Sequence, residues 1–189
     1  MAGKPYRPTA SSPPGESCMY DFSDQVVMIT GAAGTLGKTV AHSFLRTKAH
    51  TVLVDRAPDR LERIFPEQKG SPSHLLAVGI DLTDAEDVDG MVAQALERFG
   101  RIDVLLNIAG AFRAGQPLHE TEISTWDLMI NVNARSVFLT ARAVAPTMIA
   151  QGKGKILNIA ARPGLKAGRG NAAYAAAKSA VLRLTESLA

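Results

Sequence analysis

Two side chains suited to proton transfer, Tyr174 and Lys178, lie four residues apart. A helical pattern that starts near Asn171 and runs to the last residue predicts that both lie on one face of a helix. An ammonium group close to a phenol stabilises the phenolate, and such a tyrosine acts as a general acid or base near neutral pH. The spacing therefore predicts a proton-transfer site on this helix.

A glycine-rich turn is the second chemical feature. Gly31, Gly34 and Gly37 directly follow an apolar run and open a helical stretch, the context in which such glycines indicate a dinucleotide site. Gly31 permits a tight turn, Gly34 lets backbone approach a pyrophosphate, and Gly37 lets helix and strand pack closely. Thr35 and Leu36 lie between the last two glycines and are predicted to contact the same ligand, because free N–H groups at a helix start bind anions. The alternative is an ordinary strand-to-helix turn.

An acidic residue, Asp55, ends the second apolar run, 18 residues after Gly37. A carboxylate at this distance accepts hydrogen bonds from the adenosine ribose and repels a 2′-phosphate, which favours NAD over NADP. The next residue, Arg56, could soften that preference by stacking on adenine or meeting a phosphate. The alternative is a turn aspartate paired with Arg56.

Alternating apolar runs and helical stretches predict the elements that position these groups. Nearly all-apolar runs separated by amphipathic helices are typical of a parallel sheet covered on both faces. Right-handed crossovers then give an α/β fold, a doubly wound, Rossmann-type parallel sheet with strand order 3-2-1-4-5. Residues 21–189 are predicted to form this single domain, and residues 1–20 a disordered tail. The predicted strands are about 25–30, 51–55, 74–80, 103–107 and 155–160, and the predicted helices about 36–48, 59–66, 84–99, 124–149 and 171–189.

Several motifs agree in order and spacing with one known family. They are the glycine turn, Asp81–Leu82, Asn107–Gly110, Asn133 and the pair Tyr174 and Lys178. From about Asp21 to Ala189 the sequence resembles the short-chain dehydrogenase/reductase family, in its classical branch. The resemblance implies an oxidoreductase that transfers a hydride between a nicotinamide cofactor, NAD or NADP, and an alcohol, carbonyl or quinonoid substrate.

The resemblance also implies roles for the motifs between the glycine turn and the last helix. Asp81 and Leu82 would line the adenine pocket, although Asp81 could instead cap the following helix. The segment Asn107–Gly110, with Ala109, would line the cofactor and support the central sheet.

At the reacting end, the resemblance implies that Tyr174 and Lys178 both contact the cofactor. Lys178 would hold the nicotinamide ribose, while Tyr174 exchanges a proton with the substrate oxygen. Asn133 would hold a water that links Lys178 to solvent as a proton relay. Two alternatives stay open: the neighbouring Asn131 could fill that role, or the Asn133 side chain could bond within its own helix.

The family's catalytic serine has no counterpart here. The position 13 residues before Tyr174 is Ala161, and loss of such a donor can cost about 10²- to 10³-fold in rate. Dihydropteridine reductases resemble this case, since they belong to the wider family and work without that serine. Either the substrate supplies its own polarisation, or Arg162 replaces the donor, or turnover is weak.

Two further features depart from the family pattern. The glycine spacing is typical of the extended branch, and Thr35 occupies the position of the middle classical glycine. The helical pattern also stops at Ala189 without a capping residue. We therefore expect a chain truncated at its carboxyl end, without two further strands and the helices that cover the substrate, and a homo-oligomer, dimer or tetramer, in the full-length form.

Four basic residues follow the fourth and fifth predicted strands, at the rim where ligands bind in such sheets. They could receive an anionic substrate or an acidic carrier, or they could be ordinary solvated loop charges. These residues are Arg113, Arg162, Lys166 and Arg169.

Composition limits the remaining function classes. The formal net charge is +3 without a long run of one sign, so we expect no nucleic-acid partner. A single cysteine, Cys18, allows no intrachain disulfide, no metal site is expected, and no apolar stretch is long enough to span a membrane. We expect a cytoplasmic enzyme with a small-molecule substrate. The alternative is a dinucleotide-binding protein with little or no turnover.

Overall fold

The computed structural model describes residues 21–189, and the predicted tail over residues 1–20 lies outside the described part. The strands are β1 (Val26–Thr30), β2 (His50–Asp55), β3 (His74–Val78), β4 (Val104–Asn107) and β5 (Lys155–Asn158). The helices are α1 (Thr35–Leu45), α2 (Pro58–Ile64), α3 (Ala85–Phe99), α4 (Ile123–Ile130), α5 (Ser136–Gln151), α6 (Arg162–Leu165) and α7 (Ala172–Leu188). Within residues 21–189, no helix is long and apolar enough to cross a bilayer.

The five strands form one parallel sheet in the order β3-β2-β1-β4-β5, which confirms the predicted order. β1 pairs with β2 on one side and β4 on the other, so that Thr30 lies level with Val54 and Asn107. The strand order reverses at β1. The crevice beyond the carboxyl ends of β1 and β4 is therefore the switch point at which such sheets bind ligands.

Alternate residues of β1 enter two separate cores. Val26 and Met28 belong to a core that includes residues of α3 and α5, whereas Val27 and Ile29 belong to one that includes residues of α1 and α2. All four side chains are buried. Helices thus cover both faces of the sheet at its central strands, which explains why these strands are continuous apolar runs.

The long helix predicted over residues 124–149 is not regular. It consists of α4 and α5 joined by a π-helical segment, Asn131–Arg135, in which the Ser136 N–H donates to the carbonyl of Asn131, five residues back. Such segments insert one residue into an α-helix and are frequent at functional sites. The segment contains Asn133, one of the predicted site residues.

Candidate active site

The glycine turn between β1 and α1 is closed tightly on itself. Gly31 has a φ of +65°, which a residue with a side chain rarely adopts, and its carbonyl accepts from the Gly34 N–H at 2.9 Å. A Cβ added at Gly37 would overlap that same carbonyl group. The geometry of the turn therefore requires both glycines. The positive φ of Gly31 agrees with the predicted tight turn, whereas the close contact at Gly37 is with the turn backbone at Gly31 and Ala32.

The start of α1 presents free donors at this turn. The Gly34 carbonyl accepts the N–H of Lys38 at 2.8 Å, so the N–H groups of Thr35, Leu36 and Gly37 precede the first bonded turn of the helix. N–H groups at this position have no intrahelical acceptor and attract anions.

Thr30, the last residue of β1, links the two sides of the crevice, which are the end of β1 and the segment after β4. Its buried hydroxyl accepts the N–H groups of Ile108 and Ala109 at 3.1 and 3.2 Å. A Cβ at Gly31 would lie only 2.8 Å from the Ala109 Cα, so the two sides are close. No sequence pattern indicates this role for Thr30.

Asp55 is held at the end of β2 by backbone donors. Its carboxylate accepts the N–H of Ala33 at 3.2 Å and the N–H of Ala57 at 3.1 Å, and the side chain is buried. The alternative of a pair with Arg56 is not found, because the Arg56 guanidinium lies 3.5 Å from the carboxylate of Asp81. The carboxylate keeps free lone pairs towards the cleft.

Asp81 is oriented by its neighbour Thr83. One carboxylate oxygen accepts both the Thr83 N–H at 2.9 Å and the Thr83 hydroxyl at 2.7 Å. These hydrogen bonds, with a smaller contribution from Arg56, hold the pKa of the Asp81 carboxyl below its ordinary value. The capping role is filled by Asp84, which accepts two N–H groups in the first turn of α3.

A cleft of about 390 Å³ joins these groups at the carboxyl edge of the sheet. Of the predicted cofactor residues, Asn107, Tyr174 and Lys178 do not line it. Arg60, Thr83 and Ser136 line the cleft and were not predicted, and Arg60 also donates to the Ala33 carbonyl at 2.8 Å. The predicted residues that line the cleft are Gly31, Gly34, Thr35, Leu36, Gly37, Asp55, Arg56, Asp81, Leu82, Ala109 and Gly110.

Asn107 supports the sheet from below the cleft. Its side-chain amide donates to the Asn158 amide oxygen at 2.9 Å and accepts from the Thr140 hydroxyl at 2.8 Å. Asn158 in turn donates to the Thr185 hydroxyl at 2.9 Å. This polar chain connects β4 and β5 to α5 and α7, so the contacts of Asn107 favour the structural half of its predicted role.

Asn133 is fully buried and uses its amide to join two elements. The amide nitrogen donates to the carbonyls of Met129 and Ala111, both at 3.0 Å, and the amide oxygen accepts the Ala111 N–H at 3.3 Å. The bond to Met129 is the intrahelical alternative, but the bonds to Ala111 reach the segment after β4. One acceptor position of the amide oxygen remains beside Gly110, where an added Cβ would lie 2.8 Å away.

Tyr174 and Lys178 lie on one face of α7, as their spacing predicts. The Lys178 Nζ is 5.9 Å from the centre of the Tyr174 ring and donates to the Ile159 carbonyl at 2.7 Å. Burial of this side chain, which is 4% exposed, lowers the pKa of its ammonium group below the ordinary value. A Cβ at Gly110 would lie 3.6 Å from Nζ, so the side chains of Lys178 and Asn133 both approach Gly110.

The surroundings of Tyr174 contain an aromatic residue that the sequence did not single out. The Phe112 ring meets the Tyr174 ring edge to face, with ring centres 4.8 Å apart. Ala161 precedes α6 in an extended conformation, and its side chain has no hydrogen-bond donor. Arg162, the possible substitute, is exposed, and its side chain forms no hydrogen bond with any residue of the range 21–189.

The sheet order and the glycine turn at its switch point define a Rossmann-like dinucleotide-binding fold. Residues 25–189 match the family model described as short chain dehydrogenase. The chain belongs to the short-chain dehydrogenase/reductase family, whose members are oxidoreductases that typically bind NAD or NADP.

Relatives within the family have different substrates. The chain is 38% identical over 169 residues to 2-(R)-hydroxypropyl-CoM dehydrogenase of Xanthobacter autotrophicus, covering 87% of this chain and 67% of that protein. It is 34% identical over 169 residues to 3beta-hydroxysteroid dehydrogenase 2 of Eggerthella lenta, covering 89% and 65%. A crystal structure of a short chain dehydrogenase from Bacillus anthracis superposes with a TM-score of 0.80 at 32% identity, covering 87% and 68%. The chain thus spans about two thirds of the length of each of these proteins.

Proposed function

We propose that this chain is an NAD-preferring oxidoreductase that interconverts an alcohol and a carbonyl, or reduces a quinonoid substrate, with Tyr174 as general acid or base. The observation that carries the proposal is the arrangement on α7. There, a buried ammonium group, Lys178, lies beside the Tyr174 ring and is held by the Ile159 carbonyl. A buried cation needs a compensating partner, and a phenolate formed at Tyr174 would provide one.

The residues of the cleft fit a dinucleotide. The close approach of Gly31, Gly37 and Ala109 leaves backbone rather than side chains at the switch point, and the N–H groups that start α1 suit a pyrophosphate. Asp55 would accept the adenosine ribose hydroxyls, and Asp81 and Leu82 would border the adenine. The bound nicotinamide would supply or accept the hydride.

The preference for NAD rests on Asp55. Its two backbone donors hold the carboxylate in the cleft, where it would repel a 2′-phosphate. Arg56 is turned to Asp81 rather than to Asp55, so the negative charge of Asp55 is not neutralised by its neighbour.

Each residue at the reacting end has a distinct task in this proposal. Tyr174 gives its phenolic proton to the substrate oxygen during reduction and takes it back during oxidation. Lys178 stabilises the phenolate and would bond the nicotinamide ribose. Asn133 fixes the segment after β4, and the free acceptor position on its amide oxygen is where a relay water would bind.

Ala161 narrows the choice of substrate. Without a hydroxyl at this position, the carbonyl oxygen has one donor fewer while negative charge develops on it. Conjugated and quinonoid acceptors spread that charge themselves, so we expect them to react faster than simple ketones. Ala161 also favours the second candidate, a dinucleotide-binding protein with little turnover.

Titration with NADH and NADPH followed by a substrate screen separates these candidates. We expect tighter binding of NADH and turnover of at least one quinone or conjugated carbonyl. Tyr174→Phe should lower kcat by about 10²- to 10⁴-fold and change the Kd for NADH only slightly, because the variant loses only the hydroxyl and Tyr174 does not line the nucleotide cleft. Binding without turnover on a broad panel would support the second candidate, and equal activity of Tyr174→Phe would contradict the proposed role.

A further inference from the structure

The two loops that flank Tyr174 carry charges of only one sign. One loop, residues 108–117, follows β4, and the other, residues 159–171, joins β5 to α7 and includes α6. Neither contains an aspartate or a glutamate. No ion pair joins their basic side chains to any residue of the range 21–189. The basic residues are Arg113 in the first loop and Arg162, Lys166 and Arg169 in the second.

The loops are joined to each other next to two cavities. The Gly115 N–H donates to the Gly170 carbonyl at 2.8 Å. A cavity of about 390 Å³ is lined by Phe112, Arg113 and Gln116 together with residues at the start of α7. A second cavity of about 580 Å³ is lined by Arg169 and Leu118. Each cavity therefore has one arginine in its wall.

Phe112 connects the first cavity to the reacting end. Its ring is 64% exposed and meets the Tyr174 ring edge to face at 4.8 Å. An aromatic surface in this position suits a flat group that extends from the phenolic oxygen towards the cavity. Arg113 follows directly in the sequence and lines the same cavity.

The charge of this cavity is not offset by nearby acidic side chains. Glu120 and Glu122 lie in the segment before α4, but neither lines the cavity, and Glu120 is 3.5 Å from His119. The other polar lining side chains, among them Thr121, Thr125 and Asn171, are uncharged. An arginine in an otherwise neutral cavity favours an anionic ligand, and its planar group binds carboxylates with two parallel hydrogen bonds.

We propose that this cavity receives the acid group of a flat, conjugated carbonyl substrate, and that Arg113 selects for the anion. This inference rests on the proposed function, since it places the carbonyl of the substrate at Tyr174. Phe112 contacts the flat part, and Arg113 pairs with a carboxylate at the far end. Arg162, Lys166 and Arg169 add long-range attraction for an anion approaching the rim.

A matched pair of probes tests the proposal by binding alone. 4-Formylbenzoate and its neutral methyl ester are titrated by calorimetry into the protein saturated with NAD⁺. We expect the anion to bind at least about tenfold more tightly than the ester. Arg113→Gln should bring the two affinities close together, and higher salt should reduce their ratio in the wild type. Arg142→Gln removes a cation that pairs with Asp89 on α3 and should leave the ratio unchanged.

Each outcome decides for or against the proposal. Equal affinities of the two probes in the wild type, or no binding of the anion up to about 10 mM, would overturn it. A ratio that survives Arg113→Gln but is lost in Arg169→Gln would place the anion in the second cavity and also overturn it. Failure of NAD⁺ itself to bind is measured before any probe is added, and it would contradict the proposed function instead.

Discussion

The proposed nucleotide end of the crevice, around the glycine turn and Asp55, differs from the proposed substrate end, around Tyr174, in how firmly the protein's own groups are held. At the nucleotide end, Thr30, Asp55 and Asp81 each accept backbone N–H groups that hold them in place. At the substrate end, Phe112 and Arg113 are exposed and the side chain of Ala161 has no hydrogen-bond donor. When the groups of a site are already held in place, little conformational entropy is lost as the ligand binds. Under the proposed function, cofactor binding is therefore a property of the fold itself, whereas turnover would depend on the chemistry of the substrate.

The largest effect is expected at the nucleotide end, from Gly37→Ala. The added methyl group would overlap the Gly31 carbonyl, so the turn must open, and overpacking of this kind costs about 1–3 kcal/mol of unfolding free energy. We expect NADH binding to be lost, as measured by fluorescence titration, together with a lower urea midpoint.

Gly90→Ala is the matched control for that variant. Gly90 lies on α3 with nothing within 4 Å of an added Cβ, and alanine favours a helix over glycine by about 1 kcal/mol. We expect unchanged NADH binding and equal or higher stability. Normal cofactor affinity in Gly37→Ala would show that the nucleotide end is less rigid than its contacts indicate.

The next effect is expected at the substrate end, where Ala161→Ser restores the missing hydroxyl. One added donor to the substrate oxygen should raise kcat/KM for a simple carbonyl, by up to about 10²-fold. Conjugated substrates should gain less because they need the donor less. Steady-state kinetics with both kinds of substrate measures the two gains.

Ala160→Ser is the control for the restored serine. Ala161 is extended, with φ −153° and ψ 156°, and successive side chains of an extended chain point to opposite sides. A hydroxyl at Ala160 should therefore have no effect on turnover. Unchanged or lower turnover of Ala161→Ser on every substrate that reacts would contradict the expectation that a hydroxyl at this position assists the reaction.

The smallest effect is expected from Asp81→Asn, at the border of the proposed adenine pocket. The native carboxyl has a pKa below its ordinary value of 3.8 because of the Thr83 hydrogen bonds. A lowered pKa stabilises the folded state above the pKa of the unfolded chain, and this contribution is lost as the pH falls through the folded value. We expect the variant to be less stable than the wild type at pH 6, by no more than about 1 kcal/mol, and nearly equal to it close to pH 2. Urea unfolding at both pH values measures this; a constant difference would contradict it.

Much of the fold could be predicted because its causes are local or periodic. Strands buried on both faces are apolar throughout, and the alternation with helices leaves few possible topologies. The reasons for Gly31 and Gly37 also followed from the sequence, since a positive φ and a close backbone contact each demand glycine.

Other parts of the site depend on contacts that no local pattern encodes. The hydrogen bond from Arg60 to the Ala33 carbonyl joins residues 27 positions apart, and the side chain of Arg60 looks like any other helix arginine. Phe112 belongs to no motif, and its role depends on how the loop after β4 meets α7. The apolar residues of the π-helical segment follow the same spacing as those of the adjoining helices. The extra residue therefore cannot be predicted from the hydrophobic periodicity of the sequence.

That extra residue has an energetic consequence for the whole chain. π-helical turns are rare and occur mostly as single turns inside α-helices, so we expect Asn131–Arg135 to be less stable than a regular helix of the same length. Shortening the segment by one residue would relieve that defect but would rotate the Asn133 amide away from Ala111. We therefore expect the helix to exchange stability for the placement of one side chain, and under the proposed function selection for more stable variants would tend to lower turnover.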